Sequence, residues 1–280
     1  MPELPEVETI KLGLQKYLVG HKIQGVEIKA PKIFGGSVKQ VVGAKVVEIR
    51  RRGKGLIIDL DNRYSLAIHI KLTGQLIYRD EWTKDIPVSK TKVGTLPNPF
   101  THIIFKLDRG AILYYNDKRR FGWIKVVKTE DVEKLPFFKT MGPEPFKDLT
   151  LEKFEKAIQG RTTAIKPLIM DQTKIGGIGN IYANDALFLA KIDPRRPAKS
   201  LSDEEIKKLY EAVLSVMKKS FKYGGASELN FVNALGEEGE YQMHSLVYGK
   251  KGKPCPGCPG VIKKIYLGGR GTFFCEDCQK

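Results

Sequence analysis

Apolar positions near the start of the chain recur at spacings of three and four. Val7, Ile10, Leu14 and Tyr17 therefore predict an amphipathic helix, with Pro5 suited to its first position and Glu6 and Glu8 favouring its positive end. Gly20 ends it. From Lys22 to about Val127 the pattern changes to short runs rich in β-branched and aromatic residues: Val41 to Arg50, Leu56 to Leu60, Ser65 to His69, His102 to Leu107, Ile112 to Tyr115 and Trp123 to Val127. Turn signals such as Asp61-Asn62 and Asp108-Arg109-Gly110 separate them, which predicts a sandwich or a barrel. Asp80 to Pro99 is polar and proline-bearing, and reads as a loop.

Leu135 to Asp148 carries three prolines and a glycine and reads as a linker. Beyond it the period is helical. Thr150 caps Leu151 to Gln159, Pro167 opens another helix, and Asn180 to Ala190 follows the glycine-rich Ile175 to Gly179. Ser202 and Glu205 form a capping box flanked by Leu201 and Ile206. The helix they start runs to about Tyr223, burying Ile206, Leu209, Val213, Val216 and Met217, with Gly224 as its stop. Ala226 to Gly252 is irregular. The expected architecture is α+β and multidomain, divided at 1–135, 136–148, 149–250 and 251–280.

Charge narrows the function. The 280 residues include 48 Lys and Arg against 32 Asp and Glu, a net charge of +16, which points to a polyanion such as nucleic acid or an anionic membrane. A ribosomal role would carry the same charge. No apolar run is long enough to span a bilayer, and the N-terminus lacks the basic-then-apolar pattern of a secretory signal, so a soluble intracellular protein is expected.

Several stretches carry chemistry. Removal of Met1 would leave Pro2 with a free secondary amine beside the Glu3 carboxylate. An α-amino group titrates near ~8 and a lysine near ~10.4, so the terminus offers more unprotonated nucleophile at neutral pH. Attack on a carbonyl-type carbon would give a cationic iminium, with Glu3 placed to move protons. The same residues also suit an ordinary helix start. Arg50-Arg51-Arg52-Gly53-Lys54-Gly55 offers four cations at a glycine turn, for phosphate or simply for solvent. A single histidine such as His69 is usually packed. In Asn116 to Gly122, arginines beside a phenylalanine could hold phosphate and wedge between bases, or rest a cation on a core ring. The glycine-rich turn before Asn180 suits a phosphate at a helix N-terminus or a tight connection. The strongest local signal is Cys255-Pro-Gly-Cys258 and Cys275-Glu-Asp-Cys278, two knuckles sixteen residues apart, which read as one closed structural Zn2+ site. Two disulfides are the alternative, disfavoured in an intracellular chain. Lys263, Lys264 and Arg270 would sit on a hairpin braced by the metal.

The start Met-Pro-Glu-Leu-Pro-Glu-Val-Glu-Thr, Arg119-Arg120-Phe121-Gly122, the stretch Thr163 to Pro167 through Gly179 to Ala183, and the terminal ribbon together resemble bacterial formamidopyrimidine-DNA glycosylases, also called 8-oxoguanine DNA glycosylases. The resemblance spans essentially the whole chain. It implies an N-terminal β-sandwich with an N-terminal helix, a helix-two-turn-helix domain, and a C-terminal β-hairpin zinc finger. It makes Pro2 the Schiff-base nucleophile, Glu3 the general acid/base, Lys54 a proton-transfer and phosphate residue, and Arg270 a phosphate grip that aids elimination. Asn180, His69 and Arg161 match positions that hold the DNA backbone, with Arg161 where lysine is usual. Arg119, Phe121 and Leu72, the last where methionine is common, match the residues that fill the gap left by a flipped nucleotide. Phe100 falls near a frequent phosphate-binding histidine, with His102 close by, and the loop around Ser227 to Tyr241 would build the lesion pocket largely from backbone groups.

The expected activity is base-excision repair. A bifunctional glycosylase/AP lyase would extrude oxidised purines (8-oxoguanine and formamidopyrimidines) from damaged double-stranded DNA and cut the strand by β- and δ-elimination. It would use one structural Zn2+ and neither a redox cofactor nor magnesium, act as a monomer away from membranes, and reside in the cytoplasm with the nucleoid. Alternatives are an endonuclease VIII-like enzyme for oxidised pyrimidines, in which Leu4 would more often be glycine, a noncatalytic zinc-ribbon binder, and a damage sensor with Met1 retained.

Overall fold

Helix α1 (Leu4–Tyr17) buries Leu4, Val7, Ile10 and Leu14, and its first turn is closed by a reciprocal capping box between Glu3 and Glu6. Pro5 occupies the second helical position, one later than its sequence signal suggests. The computed structural model describes residues 2–280, so Met1, whose removal the chemistry at Pro2 requires, lies outside the described residues. The chain divides into two compact units: the residues up to Lys139 with Tyr223–Glu240, and Thr140–Lys222 with Tyr241–Lys280.

In the first unit α1 is followed by β1 (Ile23–Ile28), β2 (Phe34–Gly35), β3 (Val46–Arg52), β4 (Gly55–Leu60), β5 (Tyr64–His69), β6 (Gly74–Arg79), β7 (Thr101–Leu107), β8 (Ile112–Asp117), β9 (Trp123–Lys128) and the short α2 (Pro136–Lys139). They build a four-stranded sheet in the order β1-β7-β8-β6 and a five-stranded sheet in the order β2-β9-β5-β4-β3. Pairing is antiparallel except between β2 and β9. One core takes Ile49, Ile58 and Ile68 from the second sheet, Leu76, Phe105 and Tyr115 from the first, and Val7, Ile10 and Leu14 from α1. This is the expected β-sandwich. Strands β4 and β6 are buried along their whole length. Their outer faces are also covered, Ile57 by Phe138 and Val132, and Ile77 by Val93 and Val232.

Two strand signals shift in the structure. The run from Val41 becomes a strand only at Val46, because residues 38–40 form a 3-10 turn and Gly43 adopts φ 89° before the chain extends. The edge strand β1 carries Gln24, Gly25 and Glu27 among its apolar residues, which hides it from a hydrophobic count. Residues 223–240 follow the long helical signal yet pack in the sandwich unit. Ala226 N–H donates to the Glu6 carboxylate at 2.8 Å, Tyr78 N–H donates to Ala234 C=O at 2.8 Å, and Phe231 and Ala234 enter the core.

The second unit holds α3 (Leu151–Ile158), α4 (Ile165–Ile169), α5 (Asn180–Leu189), α6 (Asp203–Lys222), α7 (Tyr241–His244) and the hairpin β10 (Lys263–Leu267) to β11 (Arg270–Phe274). Thr150 caps α3, and Ser202 and Glu205 exchange hydrogen bonds of 2.8 and 3.2 Å at the start of α6. The buried side of α6 is the one its period indicates. Pro167 lies inside α4 rather than opening it. Among the described residues no helix is long and apolar enough to cross a membrane.

Asp185 on α5 organises the path to the hairpin. Its carboxylate accepts from Tyr241 Oη and Leu246 N–H at 2.9 Å each, from Val247 N–H at 3.0 Å and from Tyr248 N–H at 3.2 Å. Burial raises its pKa, while these donors oppose the rise. Asp185→Ala would leave two buried and two partly buried donors without that acceptor, so we expect a loss of about 3 kcal/mol in thermal or urea unfolding followed by circular dichroism.

Candidate functional site

The first unit places Pro2 and Glu3 at the start of α1. Pro2 is buried and the Glu3 residue is only 3% exposed. Glu3 N–H donates to Glu6 Oε2 at 2.7 Å. A carboxylate held at a helix N-terminus also meets the positive end of the helix dipole. Lys54, 4% exposed, stands in the two-residue turn that joins β3 to β4, where Arg52 pairs with Gly55. Glycine is required on both sides. Gly53 has φ 55°, and a Cβ on Gly55 would fall 2.6 Å from the Phe138 ring.

The neighbouring arginines are used within the fold. Arg51 Nε donates to Glu8 Oε2 at 2.7 Å and its Nη1 to Gly53 C=O at 2.9 Å, fastening the Lys54 turn to α1. Burial opposes ionisation of Glu8, but Arg51 and Lys11 hold its pKa below the usual value. Arg50 grips Asp59 in a two-pronged contact, and Arg52 reaches Glu133 at 3.1 Å. The sequence offered four cations for a phosphate. Arg50, Arg51 and Arg52 are engaged in ion pairs with Asp59, Glu8 and Glu133, which a local turn pattern could not reveal because each partner lies outside the turn.

His69 closes β5 among aromatic rings, with centroids 4.5 Å from Phe137 and 6.1 Å from Trp123. Its Nδ1 accepts from Lys71 N–H at 2.9 Å, so the neutral ring carries its proton on Nε2. Burial, then the charges of Lys71 and Lys54, push its pKa down to about 3. Because the folded value lies below the unfolded 6.5, His69 contributes stability that is fully present above pH 6.5 and declines as pH falls toward 3. We expect melting temperature to fall across that window, and His69→Phe to flatten the profile between pH 6.5 and 4.

Two turns are joined at one end of the sheets. Asp117 is fully buried and pairs with Gly74, so the turn before β6 and the turn after β8 lie side by side. Thr73 Oγ1 donates to Asp117 Oδ1 at 2.5 Å, and Arg119 N–H donates to Thr73 Oγ1 at 3.0 Å. Gly122 N–H donates to Asp117 Oδ2 at 2.8 Å. A Cβ on Gly122 would lie 2.0 Å from Tyr115 Oη, so only glycine fits. These bonds bring half-buried Leu72 into the same pair of turns as Arg119 and Phe121. Phe121 is 52% exposed, with the Arg119 guanidinium 4.5 Å from its ring centroid. Phe100 is exposed under Lys118, whereas His102 is buried with Nε2 2.9 Å from Asp117 C=O.

In the second unit Asn180 is the first residue of α5. Its Oδ1 accepts from Lys166 Nζ at 2.7 Å, and its Nδ2 donates to Gly271 C=O at 3.0 Å. Lys166, with 0% exposure, also reaches Gly271 C=O at 3.1 Å and Thr272 Oγ1 at 2.8 Å. One buried ammonium thus ties the helix start to the strand that begins with exposed Arg270. Lys166 was not singled out from sequence. Its signal is a lysine inside the apolar run Ile165-Lys-Pro-Leu-Ile. Arg161 is exposed and lines an open cleft of about 440 Å³ with Lys153, Lys156 and Lys174.

The four cysteine sulfurs lie within 4.8 Å of one another, with Cys255 Sγ 3.6 Å from Cys278 Sγ and Cys258 Sγ 3.5 Å from Cys275 Sγ. Tetrahedral Zn–S bonds of about 2.3 Å require sulfurs about 3.8 Å apart, whereas a disulfide requires about 2.05 Å. Gly257 and Gly260 N–H groups donate to Cys255 and Cys258 Sγ at 3.4 Å, which supports thiolates there. The set fits one structural Zn2+. Metal analysis should give one zinc per chain. Cys275→Ser should lose the metal and weaken DNA binding, while the near-ultraviolet signal of the sandwich, which holds both tryptophans, stays unchanged.

Comparison with known proteins covers the chain in three segments. Residues 1–124 match the formamidopyrimidine-DNA glycosylase N-terminal domain, 141–231 its H2TH domain, and 252–280 the zinc finger found in FPG and IleRS. The formamidopyrimidine-DNA glycosylase of Pelotomaculum thermopropionicum is 39% identical, over 100% of this chain and 99% of the relative. A Lactococcus lactis FPG variant in complex with Fapy-dG-containing DNA superposes with a TM-score of 0.87 at 34% identity, covering 100% of both chains. The Lactococcus lactis Fpg with abasic-site DNA gives 0.86 at 34% identity over 99% of each. Likeness of this extent across three successive segments shows that the chain belongs to the formamidopyrimidine-DNA glycosylase family.

Proposed function

We propose that this DNA-repair glycosylase removes oxidised purines, 8-oxoguanine and formamidopyrimidines, from duplex DNA and then cuts the strand as an AP lyase. The observation that carries the proposal is the buried Pro2-Glu3 pair, held by the Glu3–Glu6 box at the start of α1. With Met1 removed, Pro2 would offer a secondary amine pinned to a rigid helix with a carboxylate one residue away, combining nucleophile and proton carrier at fixed separation. Such pre-positioning is what covalent catalysis needs.

Pro2 nitrogen attacks C1′ of the extruded nucleotide as the glycosidic bond breaks, and the base leaves with a proton supplied through Glu3. The amine loses its proton, O4′ takes one up as the C1′–O4′ bond breaks and the sugar ring opens, and the resulting iminium acidifies the C2′ proton. Its removal expels the 3′ phosphate, and a second elimination expels the 5′ phosphate, leaving a one-nucleotide gap. In this reading Lys54 serves proton transfer and phosphate contact, and Arg270 holds the phosphate expelled during elimination. Leu72, Arg119 and Phe121 fill the vacated stack from their joined turns. His69 offers a neutral Nε2–H donor, and Asn180 and Arg161 complete the grip on the backbone. The loop 226–240 covers the extruded base.

Incubation of protein whose Met1 is shown by mass to be absent, with damaged duplex and a hydride reductant, should yield a covalent adduct that maps to Pro2. Glu3→Gln should lower excision of the damaged base by about 10²–10⁴-fold while still allowing an abasic site to be trapped. DNA attached at Lys54, or no adduct at all, would overturn the assignment of the amine.

A further inference from the structure

The long segment between β6 and β7 has a definite partner. Residues 80–99 hold the loop 226–240 along one side, although more than 120 residues separate them in the chain. Ser89 N–H donates to Gly236 C=O at 2.8 Å, and Arg79 Nη2 donates to Leu235 C=O at 2.7 Å. The Gln75 carboxamide bridges both segments, donating to Asn230 C=O at 2.8 Å and Lys92 C=O at 3.2 Å. Glu238 accepts from Ser89 Oγ and pairs with Lys92. Val88, Val93 and Val232 share an apolar cluster beneath them. Burial opposes ionisation of Glu238, yet Lys92 and Ser89 hold its pKa below the usual value, so the carboxylate is the form the contact favours.

The opposite side of the loop is also secured. Ala226 N–H is held by Glu6, and Ala234 packs so closely on Gly13 that a Cβ there would sit 2.6 Å from its own. Inside the loop, Ser227 Oγ accepts from Gly239 N–H and donates to Phe231 C=O, both at 2.9 Å. Glu228 and Leu229 are left exposed at the tip. A loop fixed on both flanks presents its backbone groups without having to be ordered by what it binds.

We propose that Glu238, through Lys92 and Ser89, is a positioning residue that braces the loop 226–240 in its base-covering conformation before DNA arrives, so that the brace sets affinity for a damaged base and not the cleavage of an abasic site. This rests on the function proposed above. An abasic site has no base to cover, so the two substrates separate the brace from the chemistry.

The experiment uses the full-length protein with Lys92→Glu, Glu238→Lys and the double exchange, on duplexes carrying either 8-oxoguanine or an abasic site. If each single change leaves the loop competent about a tenth of the time, apparent KM for the damaged base rises about tenfold while kcat holds. Cleavage of the abasic duplex stays at the wild-type rate. The double exchange restores the ion pair and much of the affinity. Hydrogen exchange in the DNA-free protein should show faster exchange at Gly236 and Gly239 in the single variants and recovery in the double. Single variants that leave KM and exchange unchanged, or that slow both substrates equally, overturn the brace. If the wild-type protein cuts neither duplex, the proposed activity fails instead, and the exchange pattern alone decides whether the brace exists.

Discussion

A buried ammonium must be given acceptors, and Lys166 receives three from two separate parts of the second unit. With no exposed surface, it would be costly to leave any of its protons without a partner. Asn180, Gly271 and Thr272 supply what it needs, so the first residue of α5 and the first turn of β11 cannot move independently. Arg270 inherits its position from this arrangement. The zinc-binding knuckles close the same hairpin from its far side, and Asn184 Oδ1 adds a bond from Phe273 N–H at 2.7 Å. An exposed arginine on a two-stranded hairpin would otherwise be poorly aimed.

Acidic residues perform the matching task in the sandwich. Glu6 spans two backbone amides, Glu3 and Ala226, that are 223 positions apart. Asp117 gathers Thr73 Oγ1 and the Arg119 and Gly122 amides, shaping two turns with one carboxylate. In each case the charge is satisfied mainly by N–H groups rather than by another side chain. That choice fixes backbone, and hence the direction in which neighbouring side chains leave it. Exposed Phe121 owes its orientation to a carboxylate four residues earlier.

What the chain reveals before folding follows from how local each interaction is. The period of α6, the Ser202–Glu205 box and the cysteine knuckles are written within a few residues of one another, and all are present in the structure. The sandwich could be anticipated as a class but not in register, since strand β1 meets β7 and β2 meets β9 across long intervals. The resemblance placed Pro2, Glu3, Leu72, Arg119 and Phe121 in one chemistry, and the structure brings the last three into paired turns. It could not show that Arg50, Arg51 and Arg52 are consumed by Asp59, Glu8 and Glu133, or that Lys166 lies beneath Asn180. Those facts depend on pairing between distant segments, which composition and spacing do not encode.

The net charge of +16 therefore divides into two populations with different consequences. Cations such as Arg51 and Lys166 are spent on holding the frame, where salt in solution screens them little. Arg119, Arg161 and Arg270 remain exposed, where their attraction to a polyanion is strong at low ionic strength and screened at high. His69 completes the division. Lying near Lys54 and Lys71, it is kept neutral by burial and by their charges, so no third positive charge opposes the two lysines. A neutral ring flanked by cations keeps the same charge through ordinary changes of pH, so acidity adds no third charge beside the two lysines.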